Sequence, residues 1–126
     1  TRAIRDEGTS YHYAPAADYI DVNKKYIPEF IGVLEECGYP YVMGTTWTTD
    51  AFYRETRSKV AKRKEMGAIC VEMECAAMQA MCDFRNVEFF PVSLCRRQSG
   101  SFPVGSEKPE RSDKAGRKRE NRAAGL

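Results

Sequence analysis

The stretch GAICVEMECAAM, Gly67 to Met78, runs from a short apolar segment through two carboxylates, Glu72 and Glu74, that bracket Met73, and then into small residues. AICVEME reads as a short buried strand, and CAAMQAMCDF reads as a helix of small and flexible apolar residues. Charged side chains at the end of a buried strand are costly unless something pairs with them. The hydroxyl groups of a ligand would serve. A plainer reading stands beside this one: carboxylates in a first turn complement the helix dipole and bind its free amides. On that reading Met73 is core filler.

Working outward, NKKYIPEFIGVLEECG carries Tyr26, Ile27, Phe30, Ile31 and Leu34 at helical spacing and stops at Gly38, which predicts a helix. YPYVMGTTWTTD predicts a strand running into a Thr-rich loop, TRSKVAKRKEMG a polar helix, and VEFF the opening of another strand. Helix and strand alternate, so the predicted class is α/β with a mainly parallel sheet. Such sheets take ligands at the carboxyl ends of their strands, where GTTWTTD and VEME both fall. Within GTTWTTDAFY, Asp50 reads as an N-cap for the following residues, and Phe52 as either a core aromatic or a platform for a flat ligand. His12 is the sole imidazole, by default a partly exposed loop residue, with a general acid or base as the alternative.

At 126 residues, 42% apolar and 30% charged, the chain has the composition of one soluble domain with a modest core. No apolar run approaches the ~18 residues of a spanning helix, and no basic-then-apolar leader opens the sequence at Thr1. The lack of an initiator Met gives the expectation that the chain is cut from something longer. Five cysteines with no CxxC pair and one histidine suggest neither a disulfide framework nor a zinc site. Free thiols in a reducing cytoplasm are expected.

Charge divides the chain. Residues 1–90 hold 11 Lys/Arg against 14 Asp/Glu, whereas residues 91–126 hold 9 against 4. We therefore read residues 1–90 as a partial domain and residues 91–126 as a basic, low-complexity, irregular tail, expected to be mobile and protease-sensitive because it has few large apolar residues. Clustered Lys/Arg in RSDKAGRKRENR raise the alternative of a weak nucleic-acid binder. The absence of interleaved aromatics argues against it.

The blocks RDEGTSYHYAP, GTTWTTDAFYRET and GAICVEMECAAM, in that order, resemble the uridine phosphorylase and purine nucleoside phosphorylase family. The resemblance covers about residues 1 to 90 and corresponds to the C-terminal part of a member. It implies the C-terminal part of a nucleoside phosphorylase fold, a mainly parallel mixed sheet flanked by helices, and phosphate-dependent cleavage of an N-glycosidic bond to free base and ribose 1-phosphate. By motif, Met73 and Glu74 hold the ribose, Glu72 lies beside the base, and Phe52 packs on it. The family needs no metal or organic cofactor, uses inorganic phosphate as co-substrate, and assembles as hexamers built from dimers. The opening RDEGTSYHY is closer to the uridine branch; the purine branch is the alternative.

The departures are informative too. FYRETRSK presents Arg54, Thr56, Arg57 and Ser58 without the Gln of uridine-specific members. The family's phosphate loops belong to the N-terminal half that these blocks do not reach, so an incomplete, inactive fragment is expected, or a remnant that only binds nucleosides weakly. After Phe90, where members continue a strand to a polar residue and then a long helix, this chain turns to Pro91 and basic residues. We read a reading-frame change there: one choice of codons for Phe90–Gln98 with a single C deleted decodes as FQFLYAADS, a strand ending in an acid. Sequencing the gene across this junction tests it.

Overall fold

TTWTT is a strand. The computed structural model describes residues 1–93, and in it Thr45–Thr49 form the second of two adjacent central strands, with Trp47, Thr48 and Thr49 fully buried. The predicted arrangement, a strand over YPYVM followed by a Thr-rich loop, is reversed: residues 39–44 have no regular structure and leave Tyr39, Val42 and Met43 exposed. The reason is physical. β-Branched threonines fit a pleated surface well, whereas Pro40 has no N–H to give to a ladder. Gly44 then lets the chain pass close under the next strand, since a Cβ there would meet Ile69 Cδ1 at 2.4 Å.

Among the described residues four strands form one sheet in the order β2-β1-β3-β4: β1 is Arg2–Asp6, β2 Tyr19–Asp21, β3 Thr45–Thr49 and β4 Ala68–Glu72. β1 pairs parallel with β3 (Ile4 opposite Trp47), and β3 pairs parallel with β4 (Thr48 opposite Glu72). β2 pairs antiparallel with β1. The sheet is therefore mixed and mainly parallel, as the sequence predicts. β4 differs from the buried strand expected of AICVEME: only Ala68 in it is buried, because β4 is the edge of the described sheet. β1 and β2 escaped the sequence reading altogether, being short and rich in charge.

Among the described residues three α-helices complete the architecture: α1 Ile27–Cys37, α2 Arg57–Glu65 and α3 Cys75–Phe84. α1 carries Pro28 in its first turn and ends on Gly38 in the left-handed conformation, φ 70°, a geometry that costs glycine little. Its apolar stripe is half-buried, Tyr26 and Phe30 resting their rings on Phe90. Thr56 caps α2 by accepting the Lys59 N–H at 3.3 Å. Asp50 is not a cap. Its Oδ2 accepts the Gly8 N–H at 3.0 Å, and the following Phe52–Arg54 form a single 3-10 turn without side-chain capping.

Successive residues of a strand face opposite sides, and β1 shows the consequence. Ala3 joins Cys75 and Ala76 under α3, with Ile20, Val22 and Phe89 packed around them. Ile4 joins Trp47 and Ala68 on the other side, where Val60 of α2, Met66, Tyr19 and Val71 close the cluster. The result is helix, sheet and helix in layers. VEFF does not open a strand: residues 87–90 are irregular, because Phe89 is drawn into the α3 cluster, Phe90 onto α1, and Glu88 into an ion pair with Lys25. Pro91–Ser93 are also irregular. The rest of the expected basic tail, with the proposed frame change, lies outside the described residues. Among the described residues no helix is long and apolar enough to cross a membrane.

Candidate functional site

Because β1, β3 and β4 run parallel, the segments that follow them leave the sheet at one rim. Asp6 lies opposite Thr49, and Thr48 opposite Glu72. The rim therefore gathers Glu7–Gly8, Asp50–Phe52 and Met73–Glu74, three segments more than twenty residues apart in sequence. The Gly8–Asp50 hydrogen bond joins the first two.

Glu72 ties β3, the strand that leads into the second segment, to the third. Its Oε1 accepts the hydroxyls of Thr46 at 3.1 Å and Thr48 at 2.5 Å. Its Oε2 accepts the backbone N–H of Glu74 at 2.8 Å and of Cys75 at 2.6 Å. Thr48 Oγ1 in turn accepts the Ala76 N–H at 3.1 Å, so β3, β4 and the start of α3 are stapled through one carboxylate. A carboxylate offers about four lone-pair positions. Those of Glu72 are matched by four donors, which is how a charge can be held at the end of a strand. The plain reading, an acid serving the first amides of a helix, describes what Glu72 does here.

Glu74 is the opposite case. It is exposed, and among the described residues the one hydrogen bond to its carboxylate comes from the N–H of its neighbour Met73, at 3.2 Å. Met73 is 41% exposed, and Phe52 45%, its ring centroid 3.9 Å from that of Tyr53. The three residues thus present a free acid, a thioether and an aromatic ring to solvent at the rim. Cys75 is no nucleophile: burial, reinforced by the Glu72 charge, pushes its thiol up to about 12, so it stays protonated. Among the described residues Cys37, Cys75 and Cys82 are free thiols. His12 is exposed at the end of a 3-10 turn.

The sequence reading missed the polar work of RDEGTSYHY. Arg5 is buried, its guanidinium over the Tyr11 ring at 4.1 Å, and it donates to Ser10 Oγ at 2.8 Å and to the carbonyls of Pro15 and Ala14. Glu7, also buried, accepts the Ser10 N–H at 2.9 Å through Oε2, while its Oε1 has no hydrogen-bond partner among the described residues. Asp6 points to the other face and accepts from Trp47 Nε1 at 2.8 Å, Lys59 at 2.9 Å and Arg63 at 3.0 Å. Burial works to raise its pKa, but the hydrogen bonds from Lys59 and Trp47 and the charges of Arg63 and Lys59 outweigh it, holding the carboxyl below its ordinary value. Three charges in four residues beside a glycine were the available signal.

Three parallel strands deliver an exposed acid, a methionine and an aromatic to one carboxyl rim, the edge at which α/β sheets take ligands. A family model described as the phosphorylase superfamily matches residues 1–124, and the chain belongs to the nucleoside phosphorylase family. A search of curated proteins finds no match.

Proposed function

We propose that the rim binds the nucleoside of a phosphorolysis reaction, in which phosphate displaces the base from the sugar to give ribose 1-phosphate. The observation that carries the reading is the contrast between the two acids of VEME: Glu72 is consumed by the fold, and Glu74 is exposed with its carboxylate almost unoccupied. Glu74 then accepts the two ribose hydroxyls, Met73 packs the apolar face of the sugar, and Phe52 stacks on the base. Glu72 lies beside the base. Cleavage passes through an oxocarbenium-like sugar, so holding the ribose in register with phosphate is the main contribution such a site makes.

The finer points belong to the same proposal. The opening motif favours uridine over purine nucleosides. Inorganic phosphate is the co-substrate, with no metal or organic cofactor. The native state is a homo-oligomer, a hexamer built from dimers, and the free thiols of Cys37, Cys75 and Cys82 suit a reducing cytoplasm. Residues 1–90 form the partial domain that carries the nucleoside half of the site, and the chain as it stands binds nucleosides without family-like turnover. Calorimetry tests the site: Phe52→Ala and Glu74→Ala should each weaken uridine binding by about 1–3 kcal/mol, the first by lost stacking and the second by unpaired hydroxyls. Unchanged affinity in both variants rejects it. Base preference is read by comparing uridine with inosine, and turnover by following ribose 1-phosphate release.

A further inference from the structure

We infer that Glu72 is a positioning residue for ribose recognition: its carboxylate holds the Met73–Glu74 turn so that the Glu74 side chain meets the sugar hydroxyls. The inference rests on the reading of Glu74 given above and goes beyond it. The two oxygens of Glu72 already take two threonine hydroxyls and two backbone amides, which matches the acceptor capacity of a carboxylate. No lone pair is left for a ligand to claim without breaking a bond of the fold. One of those amides is that of Glu74 itself, at 2.8 Å. The next, that of Cys75, opens α3. Glu72 therefore fixes the backbone of the residue that faces the ligand, and fixes it from both sides of the turn.

The staple has an external anchor. Thr46 and Thr48 lie on β3, two residues apart and so on the same face, and Thr48 also accepts the Ala76 N–H. Met73 and Glu74 are exposed and have no core packing of their own to set their direction. An exposed turn held only by its ends would lose conformational entropy on binding. A turn pinned by charge-assisted hydrogen bonds has lost it on folding, which improves affinity by pre-organisation. The role is specific to the ribose: a ligand without the 2′ and 3′ hydroxyls makes no use of a placed Glu74.

The experiment measures binding of uridine and of 2′,3′-dideoxyuridine to the full chain by calorimetry, with Glu72→Ala, Glu72→Gln, Thr48→Val and Glu74→Ala, and follows amide exchange at Glu74 and Cys75. Glu72→Ala should weaken uridine about 10-fold, the worth of a lost positioning bond, while leaving dideoxyuridine nearly unchanged. Glu72→Gln keeps an oxygen for the two amides and offers an NH₂ to the threonine oxygens, so it should restore most of the uridine affinity and the protection of both amides. Thr48→Val should show the same preference for harming uridine, more weakly. Equal losses for both nucleosides in Glu72→Ala, a Gln variant as poor as the Ala variant, or unchanged amide exchange in Glu72→Ala each overturn the inference. The underlying reading fails differently: Glu74→Ala would then be silent for uridine, and the inference would fall with it.

Discussion

Two carboxylates, each at the end of a parallel strand, are stabilised in opposite ways. On the α2 face, Asp6 of β1 is held by charge, with Lys59 and Arg63 at 2.9 and 3.0 Å and the Trp47 indole N–H at 2.8 Å. On the α3 face, Glu72 of β4 is held by neutral donors, two hydroxyls and two amides. Long cationic side chains can reach a carboxylate from a helix without fixing the backbone near it. Backbone amides cannot be satisfied without fixing the backbone itself. Asp6 therefore fastens a helix to a sheet, and Glu72 shapes a turn that faces solvent.

The largest expected effect removes the shared centre of the α2 face. Trp47→Ala deletes a fully buried side chain and the indole donor to Asp6, and should cost about 3–5 kcal/mol in denaturant unfolding. A loss comparable to that of a surface substitution would show that the Ile4–Trp47–Ala68 cluster is not the core of this face.

Asp6→Asn is next. It leaves Lys59 and Arg63 facing each other without an anion, but the pair is partly solvated, with side-chain exposures of 29% and 15%, so about 2 kcal/mol is expected. Acid should mimic it. The folded pKa of Asp6 lies below its ordinary 3.8, so this contribution is complete above the unfolded value of about 3.9 and is lost as pH falls through the folded one. An acid titration of stability should thus be steeper below pH about 4 in the wild type than in Asp6→Asn; parallel curves would break the charge-based account of this face.

The α3 face should respond less to charge. Glu72→Gln is expected to cost about 1 kcal/mol of stability, since an amide retains an acceptor for the two N–H groups. A cost above that of Asp6→Asn would erase the distinction between the faces. The smallest effect is that of Thr56→Ala, which removes a long cap bond from α2 and should lower thermal stability by about 0.5 kcal/mol while leaving uridine affinity unchanged.

Local signals were read well and non-local ones poorly. Gly38 after a helical stripe gave the end of α1, and a polar run ending at Gly67 gave α2. β1 could not be found that way, because its place in the sheet depends on Thr45–Thr49, more than forty residues on, and Arg5 and Asp6 break the apolar alternation while being held by Ser10, Trp47, Lys59 and Arg63. VEFF carried a strand-like composition, yet its phenylalanines found better burial against α3 and α1 than any ladder offered them. For the site, Phe52, Met73 and Glu74 are named from motif and are exposed at the rim. Glu7 and Arg5 are not, because the charge cluster RDEG reads as a solvated turn in the linear pattern and only the fold buries it.

The order of VEME, TTDAFY and RDEG along the chain, and the helix-forming and strand-forming periods around them, belong to the sequence by itself, and with them the α/β class and the family. These are properties of neighbouring residues, fixed by backbone sterics and side-chain spacing. Which of two glutamates separated by one residue is spent on the fold and which is left exposed was decided only in three dimensions. Glu72 follows the pleat inward to meet Thr46 and Thr48 of a strand twenty-four residues away, whereas Glu74, at the start of α3, is turned out. The two acids have the same chemistry, and only the donors that the neighbouring strand and helix bring to one of them make them different.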